Sequence, residues 1–209
     1  MPTTVVVLAK APVPGRVKTR LCPPCTPAEA ATIAEAALCD TLDAVAASSA
    51  SRRLLVLDGE PGPWLPEGFD VVAQGRGDLD ERLDAAWSHV DGPAVQIGMD
   101  TPQVTGELID AALAQVDAGT PALLGFALDG GWWMVGFAAC PSGAFTGVQT
   151  SRADTGARQL ERLRAIGLDV VALPTMRDLD TYEDALVIER DHPRIRTARA
   201  VRHQLAMSA

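Results

Sequence analysis

Short apolar runs alternate along this chain with segments in which apolar residues return every three or four positions. The runs 4–9, 53–57, 69–73, 94–97, 122–126, 132–137 and 169–173 are too short for buried helices and are bounded by Gly, Pro or polar residues, which predicts strands. Between them, Thr26 and Glu29 have capping-box spacing with Pro27 at the first helical position. Ala30, Ile33, Ala37, Leu38, Thr41, Leu42 and Val45 then form one apolar stripe. A second helix carries Leu79, Leu83, Ala86, Trp87 and Val90, and a third, capped by Thr105, carries Leu108, Ile109, Ala112, Leu113 and Val116. Further helices are expected after Asp154 and after Asp180, with Asp180 itself as a cap. The basic stretch Arg190 to Arg202 is expected to be a final, solvated helix. The Gly/Pro-rich stretch Gly59 to Gly68 reads as a surface loop. Strand–helix alternation of this kind predicts an α/β fold, three-layered, with a mostly parallel central sheet and helices on both faces. In such sheets ligands bind at the carboxyl ends of the strands.

With 209 residues, the chain is expected to form a single domain over 1–209. Hydrophobic residues make up 47% and charged residues 22%, so wholesale disorder is excluded. Neither a membrane-spanning run nor a secretory signal is visible, which places the protein in the cytoplasm. A formal net charge of -9 opposes nucleic acid or an anionic membrane as a partner. A homodimer remains compatible with the sequence. The spacing Cys22-Pro-Pro-Cys25 is that of redox motifs, but it does not open a helix, and Cys39 and Cys140 offer no second pair for zinc. His89, His192 and His203 are scattered.

The charge is unevenly placed. No acidic residue precedes Glu29, whereas the loop after the first strand carries Lys10, Arg16, Lys18 and Arg20 together with Gly15; the loop is expected to be exposed, with nothing to neutralise its cations. Arginine forks, lysine point charges and close backbone approach at a glycine suit a phosphate-rich ligand. This is not a P-loop, because Val17 stands where a glycine must precede Lys18. Nor is Gly75-Arg-Gly77 a dinucleotide fingerprint, since Asp80 occupies the third glycine position. No nucleophile elbow for acyl transfer is present. Three acidic positions complement the loop. Asp100 follows the fourth strand, Asp180 lies at a helix start, and Asp129 precedes Gly130 and Gly131, which permit tight backbone approach. Two carboxylates delivered to one sheet edge can hold Mg²⁺ or Mn²⁺ against phosphate oxygens.

Taken in order, Leu8 to Leu21, Gln74-Gly-Arg-Gly77-Asp-Leu, Gly98-Met-Asp100-Thr-Pro102, Asp129-Gly-Gly131 and Asp178-Leu-Asp180-Thr span nearly the whole chain. They resemble a family of glycosyltransferase-like proteins with the nucleotide-diphospho-sugar transferase (GT-A) fold, labelled arsenosugar-biosynthesis glycosyltransferases. A more distant similarity is to 2-phospholactate guanylyltransferases and molybdenum-cofactor nucleotidyltransferases, to which Lys18-Thr-Arg20-Leu21 and Asp129-Gly-Gly131 contribute. The resemblance implies that Lys10, Arg16, Lys18 and Arg20 grip nucleotide phosphates, with Lys18 and Arg20 stabilising the charge that develops. It implies that Gln74, Gly75 and Gly77 lie near base and ribose, and that Asp100 and Asp180 hold the metal. The chain lacks an Asp-x-Asp after its fourth strand, and its separated aspartates match the pyrophosphorylase-type enzymes of this fold better.

The expected activity is therefore metal-dependent nucleotidyl transfer from a nucleoside triphosphate to a small phosphorylated or acidic acceptor, releasing pyrophosphate. The alternatives are glycosyl transfer from a nucleotide-sugar to a small acceptor, and a catalytically silent nucleotide-binding protein. Trp132 and Trp133 must face opposite sides of a strand, so at most one indole lines the site.

Overall fold

The computed structural model describes residues 2–150 and 152–207. Its strands are β1 (Thr4–Lys10), β2 (Arg52–Asp58), β3 (Asp70–Ala73), β4 (Ala94–Gly98), β5 (Ala122–Ala127), β6 (Trp132–Phe137) and β7 (Val170–Met176). Its helices are α1 (Pro27–Ala47), α2 (Leu79–Trp87), α3 (Gly106–Asp117), α4 (Thr155–Ala165), α5 (Tyr182–Asp191) and α6 (Arg196–Met207). Every strand that the apolar runs predict is present. The capping box at Thr26 and Glu29 forms, and the Thr105 side chain accepts from the Leu108 N–H.

The strands make one sheet in the order β3-β2-β1-β4-β6-β5-β7. Pairing is parallel except at β6, which runs antiparallel to both β4 and β5. The reason is the short link Leu128–Gly131 between β5 and β6, which can close a hairpin but cannot make a parallel crossover.

On one face, Val5, Val7, Val95 and Ile97 pack under Ala34, Leu38 and Leu42 of α1 and Ile109 and Leu113 of α3. On the other, Val135 and Phe137 meet Leu83 and Trp87 of α2 and Leu163 of α4. A further layer covers α1 from outside, where Ala30, Ile33 and Ala37 meet Ala185 and Ile188 of α5 and Val201 of α6. The helix is thus buried on two sides, and the single stripe read from its period understates how much of it is covered. Arginines of α6 serve packing: Arg196 pairs with Asp43, Arg202 pairs with Glu189, and the Asp40 carboxylate accepts the Arg196 and Thr197 N–H groups at the helix start. No helix among the described residues is long and apolar enough to cross a membrane.

Candidate functional site

A cavity of about 670 Å³ opens at the carboxyl end of the sheet, bordered by the β1 loop, the end of β4, the β5–β6 hairpin and the segment after β7. The basic loop enters it through an unusual turn. Lys18 has φ 46° and ψ 38°, a left-handed conformation, just ahead of a single turn of 3₁₀-helix at Thr19–Leu21. That conformation costs a non-glycine residue on the order of 1 kcal/mol. The turn is accompanied by two ion pairs: the ammonium lies 2.5 Å from Asp100 Oδ1 and 3.2 Å from Asp180 Oδ1. Burial by itself would lower the pKa of Lys18, but the two carboxylates outweigh it and hold the pKa above the ordinary lysine value.

This corrects two expectations. The loop is not free of counter-charge, because Lys18 pairs with Asp100 and Asp180, and Arg20 pairs with Asp180 at 3.0 Å. Lys18 is also not on an exposed surface: its side chain is 7% accessible, against 67% for Arg20.

Asp180 is not a helix cap either. Thr181 caps α5, with Asp184 closing the capping box, and this leaves the Asp180 carboxylate free to face the cavity. The segment that carries it is tied down at both ends of the site. The Leu179 N–H donates to the Asp100 carbonyl, the Gln103 amide donates to the Arg177 carbonyl, and the Leu128 N–H donates to the Met176 carbonyl. Together these hydrogen bonds fix Asp178 and Asp180 beside the β5–β6 hairpin.

The carboxylates that converge are Asp129, Asp178 and Asp180, each offering an oxygen within 4.8 Å of the others. Asp100 is not among them, and the Lys18 ammonium stands between Asp100 and Asp180 where a shared ion was expected. Asp178, which the sequence analysis did not assign to the metal, belongs to the cluster. Burial, then the Asp129 carboxylate, push its pKa up to about 6; Asp180 adds to this, while its own N–H and Lys18 act the other way.

Other expected residues divide. Gln74 lines the cavity, donating to the Ala9 carbonyl at 3.5 Å and accepting from Arg82 at 2.7 Å. Gly75 backs onto α2 at Ala85, and Gly77 turns beside Glu81; neither lines the cavity, nor does Gly15. Lys10 and Arg16 lie at its exposed rim. Asp129 accepts from the Gly131 N–H at 2.6 Å, closing the hairpin. Gly130 has φ +90°, and a Cβ there would clash with the Ala153 carbonyl oxygen, so its close approach is to the chain's own backbone, and Gly130 does not line the cavity. Trp133 belongs to the core and donates to the Pro174 carbonyl, whereas Trp132 lies on the opposite face, its ring 6.4 Å from that of Phe145.

Among the cavity residues that escaped the sequence reading are Arg82, Gln96 and Arg152. Gln96 did leave a signal, as the one amide inside an apolar strand run. Cys25 sits just before the α1 cap, but burial raises its pKa, so it is no poised thiolate.

A mixed seven-stranded sheet with helices on both faces and its charged cavity at the carboxyl edge defines an α/β protein of the nucleotide-diphospho-sugar transferase fold. The chain belongs to the family described as uncharacterized proteins conserved in bacteria (DUF2064), whose sequence profile matches residues 31–152. Nothing among curated proteins matches it. A Desulfovibrio desulfuricans G20 protein, provisionally named a nucleotide-diphospho-sugar transferase, superposes with a TM-score of 0.87 at 28% identity, over 98% of this chain and 96% of that one. Rv0371c of Mycobacterium tuberculosis H37Rv, solved with manganese, gives 0.55 at 22% identity over 90% and 98%. A nucleotidyl transferase from a Methanothermobacter species gives 0.58 at 17% over 90% and 96%. The last two likenesses concern the fold alone.

Proposed function

We propose that this chain is a divalent-metal-dependent transferase acting on a nucleotide, and specifically a nucleotidyltransferase. An acceptor oxygen attacks the α-phosphorus of a nucleoside triphosphate, the bond to the bridging oxygen breaks, and pyrophosphate leaves. One observation carries this reading: in a single cavity, buried Lys18 and exposed Arg20 face a cluster of three carboxylates.

The all-oxygen set Asp129, Asp178 and Asp180 suits a hard cation such as Mg²⁺ or Mn²⁺. Such an ion would neutralise phosphate charge and orient the reacting groups. The manganese-bound neighbour supports the choice of metal. Lys18 and Arg20 hold N–H donors at the same spot, for phosphate oxygens that gain charge as pyrophosphate departs. Lys10 and Arg16 at the rim can meet the distal phosphates. The cavity is lined by Lys10, Arg16, Lys18, Arg20, Arg82 and Arg152 beside the four carboxylates, and a divalent ion would let those carboxylates lie against phosphate oxygens.

Transfer of a sugar from a nucleotide-sugar is the second reading, favoured by the name of the Desulfovibrio neighbour. A thermal-unfolding screen separates the two. With Mn²⁺ present, nucleoside triphosphates are expected to raise the midpoint more than nucleotide-sugars do, and neither should act in chelator. A larger response to nucleotide-sugars would replace the first reading by the second. No response to either would overturn both.

A further inference from the structure

Beside the carboxylates, α2, β4 and β6 contribute an apolar part of the cavity wall, a lobe whose lining includes Leu79, Leu83 and Trp132. Two polar groups in this lobe have no protein partner. Gln96, 1% exposed in the middle of β4, has an unpartnered side-chain oxygen. Arg82, on α2, has an unpartnered buried Nε–H, while its NH1 holds the Gln74 oxygen. Leaving such groups without hydrogen bonds costs free energy, and native interiors rarely do so. Nothing in the packing of β4 calls for an amide here, because its inward neighbours Ala94 and Val135 are apolar and buried. Gln74, by contrast, is occupied on both ends, by Arg82 and by the Ala9 carbonyl.

We propose that this lobe reads the nucleobase, with Gln96 and Arg82 hydrogen-bonding its edge and Gln74 positioning Arg82. The inference rests on the nucleotide reading above and moves base recognition away from Gly75 and Gly77, which do not line the cavity. The chemistry of the lobe selects this occupant over others. Apolar walls with two unpartnered polar groups suit a flat ring that carries a few heteroatoms on one edge. A sugar would bury several hydroxyls against leucine without partners. A base edge offers what the pair lacks: an acceptor for the Arg82 N–H and, beside it, a group for the Gln96 amide, which can turn to donate or accept.

The test compares ligands that differ only in the base. Mn²⁺-loaded protein is titrated calorimetrically with inorganic triphosphate and with ATP, GTP, CTP and UTP. At least one nucleotide is expected to bind ten times or more tighter than triphosphate. In Gln96→Met, which keeps length and packing but deletes the hydrogen bond, that advantage should shrink to threefold or less with triphosphate affinity unaltered. Arg82→Gln should reduce the same advantage and serves if Gln96→Met does not fold. Gln96→Met should also unfold at a higher temperature than wild type in the absence of ligand, because an unpartnered buried amide is gone. The proposal is overturned if no nucleotide outbinds triphosphate, or if the variants keep the full advantage of the base. Failure of triphosphate itself to bind with Mn²⁺ would instead overturn the nucleotide reading on which it rests.

Discussion

Replacing Lys18 with Met is expected to destabilise the protein by about 2–3 kcal/mol and to lower its thermal midpoint by roughly 5–10 °C. Methionine can keep the apolar stem packed, so the loss is that of the charge. Asp100 would then have no cation beside it, and Asp180 would keep only Arg20. Removing one partner of a fully buried ion pair costs about 3–5 kcal/mol. The figure is lower here because Asp100 and Asp180 side chains remain 47% and 28% accessible and water screens them in part. The double variant Lys18→Met with Asp100→Asn should recover much of the loss, since it also removes the stranded carboxylate. Equal stability of the single variant and wild type would mean that the ammonium is not held between the two aspartates. Nucleotide affinity should fall about tenfold to a hundredfold in either variant, as a charge-assisted contact is lost.

The opposite sign is expected at Asp178. Its pKa of about 6 in the folded state lies above the ordinary aspartate value of about 3.9, so the folded protein holds this proton more tightly than the unfolded chain. The stability it lends is complete below about pH 4 and is lost as pH rises through about 6. In chelator at pH 7.5, Asp178→Asn should therefore be more stable than wild type. Discounted for a carboxyl that still reaches solvent, the gain is about 1–1.5 kcal/mol, or roughly 3–5 °C. At pH 4 the difference should nearly vanish. Thermal unfolding at the two pH values measures it, and a variant less stable than wild type at pH 7.5 would contradict the electrostatic account. A residue whose ionised form destabilises the fold is what a cation site requires, because the like charges that repel one another in the free protein are the ones that bind the ion.

Much of the scaffold was legible because it depends on local pattern. Strands β1 to β7 follow from short apolar runs, and α1 follows from a capping box, a proline and a stripe. The direction of β6 is a matter of how short a link can be, and the burial of α1 on two sides is a matter of what arrives from α5 and α6 much later in the chain. The site was legible only in part. Its segments were found, because Lys10 to Arg20, Asp100, Asp129 and Asp180 all follow or flank strand ends at one edge of the sheet. Which carboxylate meets which partner was not. A left-handed turn at Lys18 sends its ammonium across to residues 82 and 162 positions away, and no local signal announces that reach. The role of Asp180 could have been read better, since Thr181 and Asp184 have capping-box spacing and leave Asp180 out of the cap.

The identity of the metal-holding carboxylates is tested most directly by calorimetric titration of Mn²⁺ into wild type, Asp178→Asn and Asp100→Asn at pH 7.5. Wild type is expected to bind one ion. Asp178→Asn should weaken that binding at least tenfold, because a neutral amide replaces one of three converging carboxylates. Asp100→Asn, which removes a partner of Lys18 but no member of the cluster, should bind Mn²⁺ within about threefold of wild type. The reverse pattern, with binding lost in Asp100→Asn and kept in Asp178→Asn, would place the ion between Asp100 and Asp180 and contradict the site described above.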